Sequence, residues 1–387
     1  MGRATNRDVR QTDRQNCGGR EAKLAEAPAT VRSCDLRDDN NYAAGQRLRG
    51  VAAGVAGRTA SRTPMTPLHW GIMGTGGMAR AMADVLTSSG RIVAAVGSSR
   101  EGAAAELTDQ LGSGRAESSH EAVAAADDVD VVYVATTNDR HFANVMSCID
   151  RGTAVLCEKP LALDAHQARL LMRASEESGV FLMEAMWMRF QPFFERIQQL
   201  VDTGATGPIN YVQANMSYLA DTDPRRRWMN ADLGGGALAD IGVYPINLAL
   251  LLLGPPLETE TQVTIGPTGV DLETRVLSRH RNGAVAVLGV SFINAAPSEA
   301  VVAGPAGSIS IRAPFHLSRQ LVVTRPGDEP TVIELDGDGH GLLPEVEEVE
   351  RCVRAGRTQS DLLPHSHTLA AHSWLDEIRA RGVDPTV

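Results

Sequence analysis

The chain has 387 residues, 43% hydrophobic and 22% charged, with a formal net charge of −10, which is ordinary for a globular protein and long enough for two domains. That charge argues against nucleic acid or an anionic membrane as a partner, and no stretch approaches the ~20 uninterrupted apolar residues of a membrane span. Five cysteines (Cys17, Cys34, Cys148, Cys157, Cys352), odd in number and without a C-x-x-C pair, argue against a disulfide framework or a zinc site and for a reducing, cytoplasmic setting.

Residues 1–64 hold 12 of the 37 basic residues and 7 of the 47 acidic ones, and they lack sustained apolar periodicity. Residues 1–65 are therefore expected to be a disordered extension, with the working domain beginning at 66, just after Met65. No apolar segment follows the basic residues, so a secretory signal is not indicated.

From Leu68 to about Met183 apolar runs recur at 69–73, 91–97, 130–136, 153–157 and 180–183, separated by stretches of helical length. Near-continuous apolar strands alternating with helices imply a doubly wound parallel sheet, here over 66–185. The first run ends in Gly74-Thr75-Gly76-Gly77-Met78-Ala79, which follows the G-x-G-x-x-G/A pattern of a dinucleotide site. Gly74 would allow the tight turn, Gly76 the close approach of a pyrophosphate, and the helix starting near Gly77 would offer free N–H groups to that anion.

Ligands in such folds sit outside the carboxyl ends of the strands. After the second run come Ser98-Ser99-Arg100, and an arginine with hydroxyl neighbours suits the 2′-phosphate of NADP. The alternative has Ser99 capping the next helix and Arg100 solvated, with Glu101 left to meet a ribose. After the 130–136 run come Thr136, Thr137, Asn138 and His141; the small polar residues can hydrogen-bond a cofactor's ribose and diphosphate. His141 either opens a helix or touches the nicotinamide region. The next run ends in Cys157-Glu158-Lys159-Pro160, and charges placed there cost desolvation unless they have a task.

Beyond Met183 the pattern changes. Glu184-Ala185-Met186-Trp187-Met188-Arg189-Phe190 leads into a helix near 191–203, and strand signals follow at 208–219, 260–266, 271–281, 284–293, 308–311, 319–325 and 331–335. Asn282-Gly283 between two alternating runs is a hairpin signal, so 186–365 reads as an α+β domain with a large, mostly antiparallel sheet. Helices near 343–356 and 366–381 close the chain, the last (366–387) packing back on the first domain. Within the second domain Gly234-Gly235-Gly236 precede Asp240 and Tyr244, spaced to share one helix face, while Pro245 requires a kink or a later helix start. Asp240 is either a helix cap or a site residue, and Tyr244 either a core residue or a site residue.

These motifs together resemble the glucose-fructose oxidoreductase and inositol dehydrogenase family across about 66–382. Tyr244, standing where inositol dehydrogenases carry histidine, makes the chain most similar to the branch of trans-dihydrodiol dehydrogenases and NADP-dependent D-xylose 1-dehydrogenases. Thr137 stands where many members have proline. The resemblance implies hydride transfer between NADP and a secondary alcohol or hemiacetal carbon of a sugar, polyol or cyclic diol. It implies Tyr244 as general acid/base, Lys159 as the cation that lowers its pKa, Asp240 as an orienting carboxylate, and Trp187 and Arg189 as the wall beside the nicotinamide. Alternatives are an inositol or anhydro-sugar dehydrogenase of the same family, or an NADPH-binding regulator without turnover. A homodimer formed through the second domain's exposed sheet face is also expected.

Overall fold

In the computed structural model of the protein, which describes residues 66–336 and 341–382, the apolar runs of the first half form one parallel sheet. The extension expected over 1–65 lies outside these residues. The elements run β1 (His69–Met73), α1 (Gly77–Ser88), β2 (Ile92–Gly97), α2 (Ala103–Leu111), β3 (Arg115–Glu117), α3 (His120–Ala125), β4 (Val131–Val134), α4 (Asn138–Ile149), β5 (Ala154–Glu158), α5 (Ala165–Ser178) and β6 (Leu182–Ala185). Their spatial order is β3-β2-β1-β4-β5-β6, so successive connections diverge between β1 and β4. That divergence opens a crevice at the carboxyl ends of the strands, where a doubly wound sheet takes its ligand. Strand β3 was not expected from the sequence, because Arg115-Ala116-Glu117 carries no apolar run and is an exposed edge.

The second sheet has eight strands in the order β14-β13-β12-β11-β7-β10-β9-β8: β7 (Tyr211–Ser217), β8 (Glu258–Ile265), β9 (Asp271–Arg279), β10 (Val285–Ser291), β11 (Ala300–Gly304), β12 (Gly307–Ile311), β13 (Gln320–Thr324) and β14 (Thr331–Glu334). All neighbouring pairs are antiparallel except β7 with β10. The β9–β10 turn holds Asn282 at φ 58° and Gly283 at φ 75°, the two positive values that a tight hairpin demands. Strand β11 is the other strand the sequence reading lacked; it is five residues long, ends in glycine and is followed by Pro305.

Helices α6 (Pro192–Asp202), α7 (Val243–Leu253), α8 (Leu343–Arg354) and α9 (His365–Gly382) complete the chain. The apolar stretch Ala231–Leu253 has a mean hydropathy of 1.7, yet 83% of its most apolar window is buried inside the protein, as befits a central core helix. One apolar core runs from a face of the parallel sheet (Trp70, Tyr133) through Met183, Met186 and Met188 to the inner face of the second sheet (Leu288, Ile309), with α7 between. A second core covers the opposite face of the parallel sheet. Helix α9 touches α5, α7 and β8, so it contacts both halves.

Candidate active site

The glycine loop between β1 and α1 is shaped by its backbone. Gly74 has φ 110°, and a Cβ there would lie 2.4 Å from the Ala135 carbonyl, so no other residue fits. At Gly76 and Gly77 an added Cβ would meet no atom of the described residues within 4 Å, so among these residues the space in front of them is open. The first N–H groups of α1 face it, an arrangement that suits a diphosphate. Ala79 is fully buried in α1, the small residue that packs the helix on the sheet.

This loop opens one end of a cavity of about 1050 Å³, also lined by Thr75, Met78, Ser98, Ser99, Arg100, Thr136, Thr137, Asn138, Glu158, Lys159 and Trp187 from the first half of the chain. Such a volume exceeds what one small molecule needs and fits a dinucleotide with a small substrate. Ser98 Oγ lies 3.2 Å from Thr75 Oγ1 and accepts the Arg100 N–H at 3.1 Å, which ties the end of β2 to the glycine loop. Helix α2 is capped by Gly102, so Ser99 is not its cap. Arg100 pairs with Glu106 at 2.8 Å, both exposed. Thr137 has φ −73°, the value a proline would adopt, so the departure from the family pattern leaves the turn unaltered.

The cavity ends where the two halves meet. Gly234 has φ 73°, and a Cβ there would clash with Leu163 and Asn138; the glycine lets Asn138 Nδ2 donate to its carbonyl at 2.9 Å. From this loop Leu238–Gly242 forms a π-helical turn that runs into α7, the kind of local widening often found at functional sites. Pro245 has no N–H, so the Asp240 carbonyl five residues back lacks that helical donor and instead accepts from Lys159 Nζ at 2.5 Å. Lys159 Nζ also lies 3.7 Å from Asp240 Oδ1 and 5.1 Å from the Tyr244 ring centre. Trp187 Nε1 donates to Tyr244 Oη at 3.0 Å, leaving the phenolic proton for another acceptor. Asp240 is thus mid-turn beside Lys159 rather than at a cap, while Tyr244, 5% exposed, belongs to the core and to the cavity wall at once.

The electrostatics correct one expectation. Burial pushes the Tyr244 phenol up to about 12, outweighing the downward pull of Lys159, while Glu158 and Asp240 add to the rise. Lys159 lowers the phenol as the resemblance implies, but within a larger desolvation effect that leaves the net shift upward. Burial opposes the charge on Lys159, but Tyr244, Asp240 and Glu158 together hold its pKa above the ordinary value. Asp240 shows the reverse balance: burial raises it, and Lys159 with Arg227 brings it below the usual carboxylate range. Glu158 is raised chiefly by burial; Tyr133 Oη donates to its Oε1 and the Lys159 N–H to its Oε2.

Two expected site residues lie elsewhere. His141 is fully buried, its ring nitrogens facing the carbonyls of Pro160 at 2.9 Å and Thr136 at 3.2 Å; it braces the strand ends and does not line the cavity. Arg189 donates to the Leu362 carbonyl at 3.0 Å and lies over Phe194, because the 3₁₀ turn Trp187–Phe190 points Trp187 inward and Arg189 away. Three residues not singled out from the sequence do stand at the reacting end. Arg227 and Trp228 line it, and the run Arg225-Arg226-Arg227-Trp228 beside the glycines was the signal available. His316 packs against Tyr244 at 5.0 Å and Trp187 at 5.4 Å between ring centres, neutral because burial, reinforced by Lys159, pushes it down to about 4. A lone histidine before a strand carries no such signal.

A doubly wound sheet with a glycine loop, joined to a second domain whose π turn and helix α7 supply a carboxylate and a tyrosine to a lysine at the cavity's end, defines a two-domain oxidoreductase that binds a nicotinamide dinucleotide. The chain belongs to the GFO/IDH/MocA family: residues 68–186 match the oxidoreductase family's NAD-binding Rossmann fold, and residues 194–310 match the GFO/IDH/MocA C-terminal domain. It is 30% identical to the trans-1,2-dihydrobenzene-1,2-diol dehydrogenase of Mus musculus over 323 residues, 81% of this chain and 96% of the relative. It is 29% identical to the D-xylose 1-dehydrogenase (NADP(+)) of Hypocrea jecorina over 367 residues, 84% of this chain and 94% of the relative. Among solved structures it is similar to the 3-ketoreductase KijD10 of Actinomadura kijaniata in complex with NADP and TDP-benzene, with a TM-score of 0.74 and 26% identity over 81% of this chain and 98% of that one.

Proposed function

We propose that the protein is an NADP-dependent dehydrogenase acting on a secondary alcohol or hemiacetal carbon of a sugar, polyol or cyclic diol. The observation that carries this reading is the contact between Lys159, Asp240, Tyr244 and Trp187 at the far end of a cavity that begins at the glycine loop. When bound, the nicotinamide supplies or accepts the hydride. The chain's part is then one proton and its placement. Tyr244, with its proton free and its hydroxyl oxygen held by Trp187, donates to the oxygen of a carbonyl being reduced and takes that proton back in oxidation. Lys159 stabilises the phenolate and the developing oxyanion, and Asp240 keeps the ammonium in place. NADP rather than NAD is supported by Ser98, Ser99 and Arg100 at the end of β2, and by the NADP-linked names of relatives.

The test is a panel of aldoses, inositols and trans cyclic diols with NADP and with NAD, followed by absorbance of the reduced cofactor. Turnover of at least one class, faster with NADP, is expected; tight NADPH binding with no turnover of any class would instead favour a regulatory protein. We also propose a homodimer through the outer face of the second sheet. There the cross-strand pair Leu277 and Val287 is exposed, and Val332 lies further along the same face. An open apolar sheet face of this kind invites a partner.

A further inference from the structure

Of three consecutive arginines beside the cavity, two are spent on the surface. Arg225 pairs with Asp223 and Arg226 with Asp221, each arginine more than half exposed. The third, Arg227, turns inward: its Nη2 donates to Asp240 Oδ1 at 3.0 Å, and its guanidinium stands 5.9 Å from the Trp228 ring centre. Asp240 Oδ1 is also 3.7 Å from Lys159 Nζ, so one carboxylate spaces two cations at the reacting end. The other two nitrogens of Arg227, Nε and Nη1, have no partner among the described residues, and 46% of the side chain is accessible where it lines the cavity. A guanidinium anchored through one nitrogen, with the donors of the others free, presents them in a fixed plane, suited to an oxygen at a set distance from whatever Lys159 and Tyr244 hold.

We propose that Arg227 is a specificity-determining residue that reads a second oxygen on the carbon next to the reacting one. A neighbouring oxygen is what the sugars, polyols and cyclic diols of the proposed function share; the structure assigns the residue that reads it. This rests on the proposed dehydrogenase reading and deepens it. A site built to donate to a substrate oxygen rejects an analogue lacking it, since its own donors are then left unpaired. The Asp240 contact has a separate effect: losing it shifts the carboxylate and Lys159, which handicaps every substrate alike.

The experiment compares trans-1,2-cyclohexanediol with cyclohexanol in the full-length protein, in Arg227→Met and in Arg227→Lys, by kcat/KM with NADP and by a thermal shift titrating each alcohol onto the NADP complex. The unmodified protein is expected to prefer the diol at least ~10-fold by either readout. Arg227→Met is expected to bring that ratio to within about threefold of one, at unchanged NADP affinity, whatever loss both alcohols share. Arg227→Lys, which keeps a cation on Asp240 but not the fork, should fall between. An unchanged ratio in Arg227→Met overturns the proposal and leaves Arg227 as a support for Asp240; weakened NADP binding assigns it to the cofactor instead. Should no variant turn over either alcohol, the thermal shift alone decides whether Arg227 discriminates the diol, and the dehydrogenase reading stands or falls on the wider panel of aldoses, inositols and diols.

Discussion

Tyr244→Phe removes one oxygen and leaves the ring against Lys159, Trp187 and His316. General acid/base catalysis contributes roughly 10²- to 10⁴-fold, so kcat should fall within that range with NADP affinity unaltered; a variant keeping a third of its turnover would return Tyr244 to a packing role. The phenol's pKa, pushed up to about 12 by burial, keeps the proton on at neutral pH. Alcohol oxidation, which needs the group deprotonated, is expected to speed up as pH rises from 7 towards 10, while carbonyl reduction stays flat. Lys159 pulls that pKa down, so Lys159→Met should lower kcat and displace the oxidation profile to higher pH; no displacement would separate the two residues. Arg100→Ala should raise the apparent NADP constant about tenfold and leave NAD unchanged, a charge-assisted hydrogen bond being worth ~1.5–3 kcal/mol. At this scale the sequence exposes residue types but not their partners. His141 sits beside the cofactor motif, yet main-chain carbonyls occupy its ring, and a run of arginines reads as solvated surface until Asp240 is placed next to one of them.

The turn between the glycines and α7 depends on backbone conformation. Gly236 has φ 115°, and a Cβ there would lie 2.2 Å from Asp271 Oδ1, the same carboxylate that accepts the Leu238 N–H at 2.7 Å. Gly236→Ala is expected to destabilise the protein by about 1–3 kcal/mol from strain alone, measured by chemical denaturation, and to lower activity by displacing Asp240. Helix α8 carries a second liability: Glu345 is fully buried, both carboxylate oxygens lacking a hydrogen bond among the described residues, and burial, then Glu158, holds its pKa well above the ordinary value. In the unfolded chain the group ionises near pH 4.5, whereas in the fold it stays protonated to higher pH. Its contribution is thus intact below 4.5 and is lost progressively as pH rises towards the folded pKa. Glu345→Gln cannot ionise, so it should match the parent near pH 4.5 and melt a few degrees higher at pH 8; equal melting curves at pH 8 would show the carboxylate is stabilised. Long apolar runs and the Asn282-Gly283 turn made most strands legible, since period and turn chemistry are local. The edge strand β3 and the π turn were not, because pairing and the neighbouring sheet hold them rather than their own residues. Glu345 lay hidden in Pro344-Glu345-Val346-Glu347-Glu348, which reads as a charged outer face.

For the whole molecule, Leu277→Glu on the exposed sheet face should convert a dimer to monomers without lowering the melting temperature of the isolated chain, read by sedimentation; a wild-type monomer at micromolar concentration would remove the proposed interface. The two-sheet architecture was legible because strand-and-helix alternation gives way to strand-rich sequence near Met183, and the last helix was expected to pack back on the first domain, but nothing local announces which loop it secures. Its His372 faces the Ala162 N–H, Asp376 accepts from the Ala165 N–H, and Arg379 donates to the Leu163 carbonyl, while Trp374 donates to Thr259 of β8. The loop that follows Lys159 therefore takes its last main-chain partners from residues made some two hundred positions later. During synthesis the cofactor sheet precedes α9, so until α9 is made the lysine loop has only its nearer partners, His141 on the Pro160 carbonyl and Glu184 on the Leu161 N–H. The nascent chain is in this sense assembled but unarmed, and a chain truncated before α9 is expected to lose more turnover than NADP affinity, read by comparing the two.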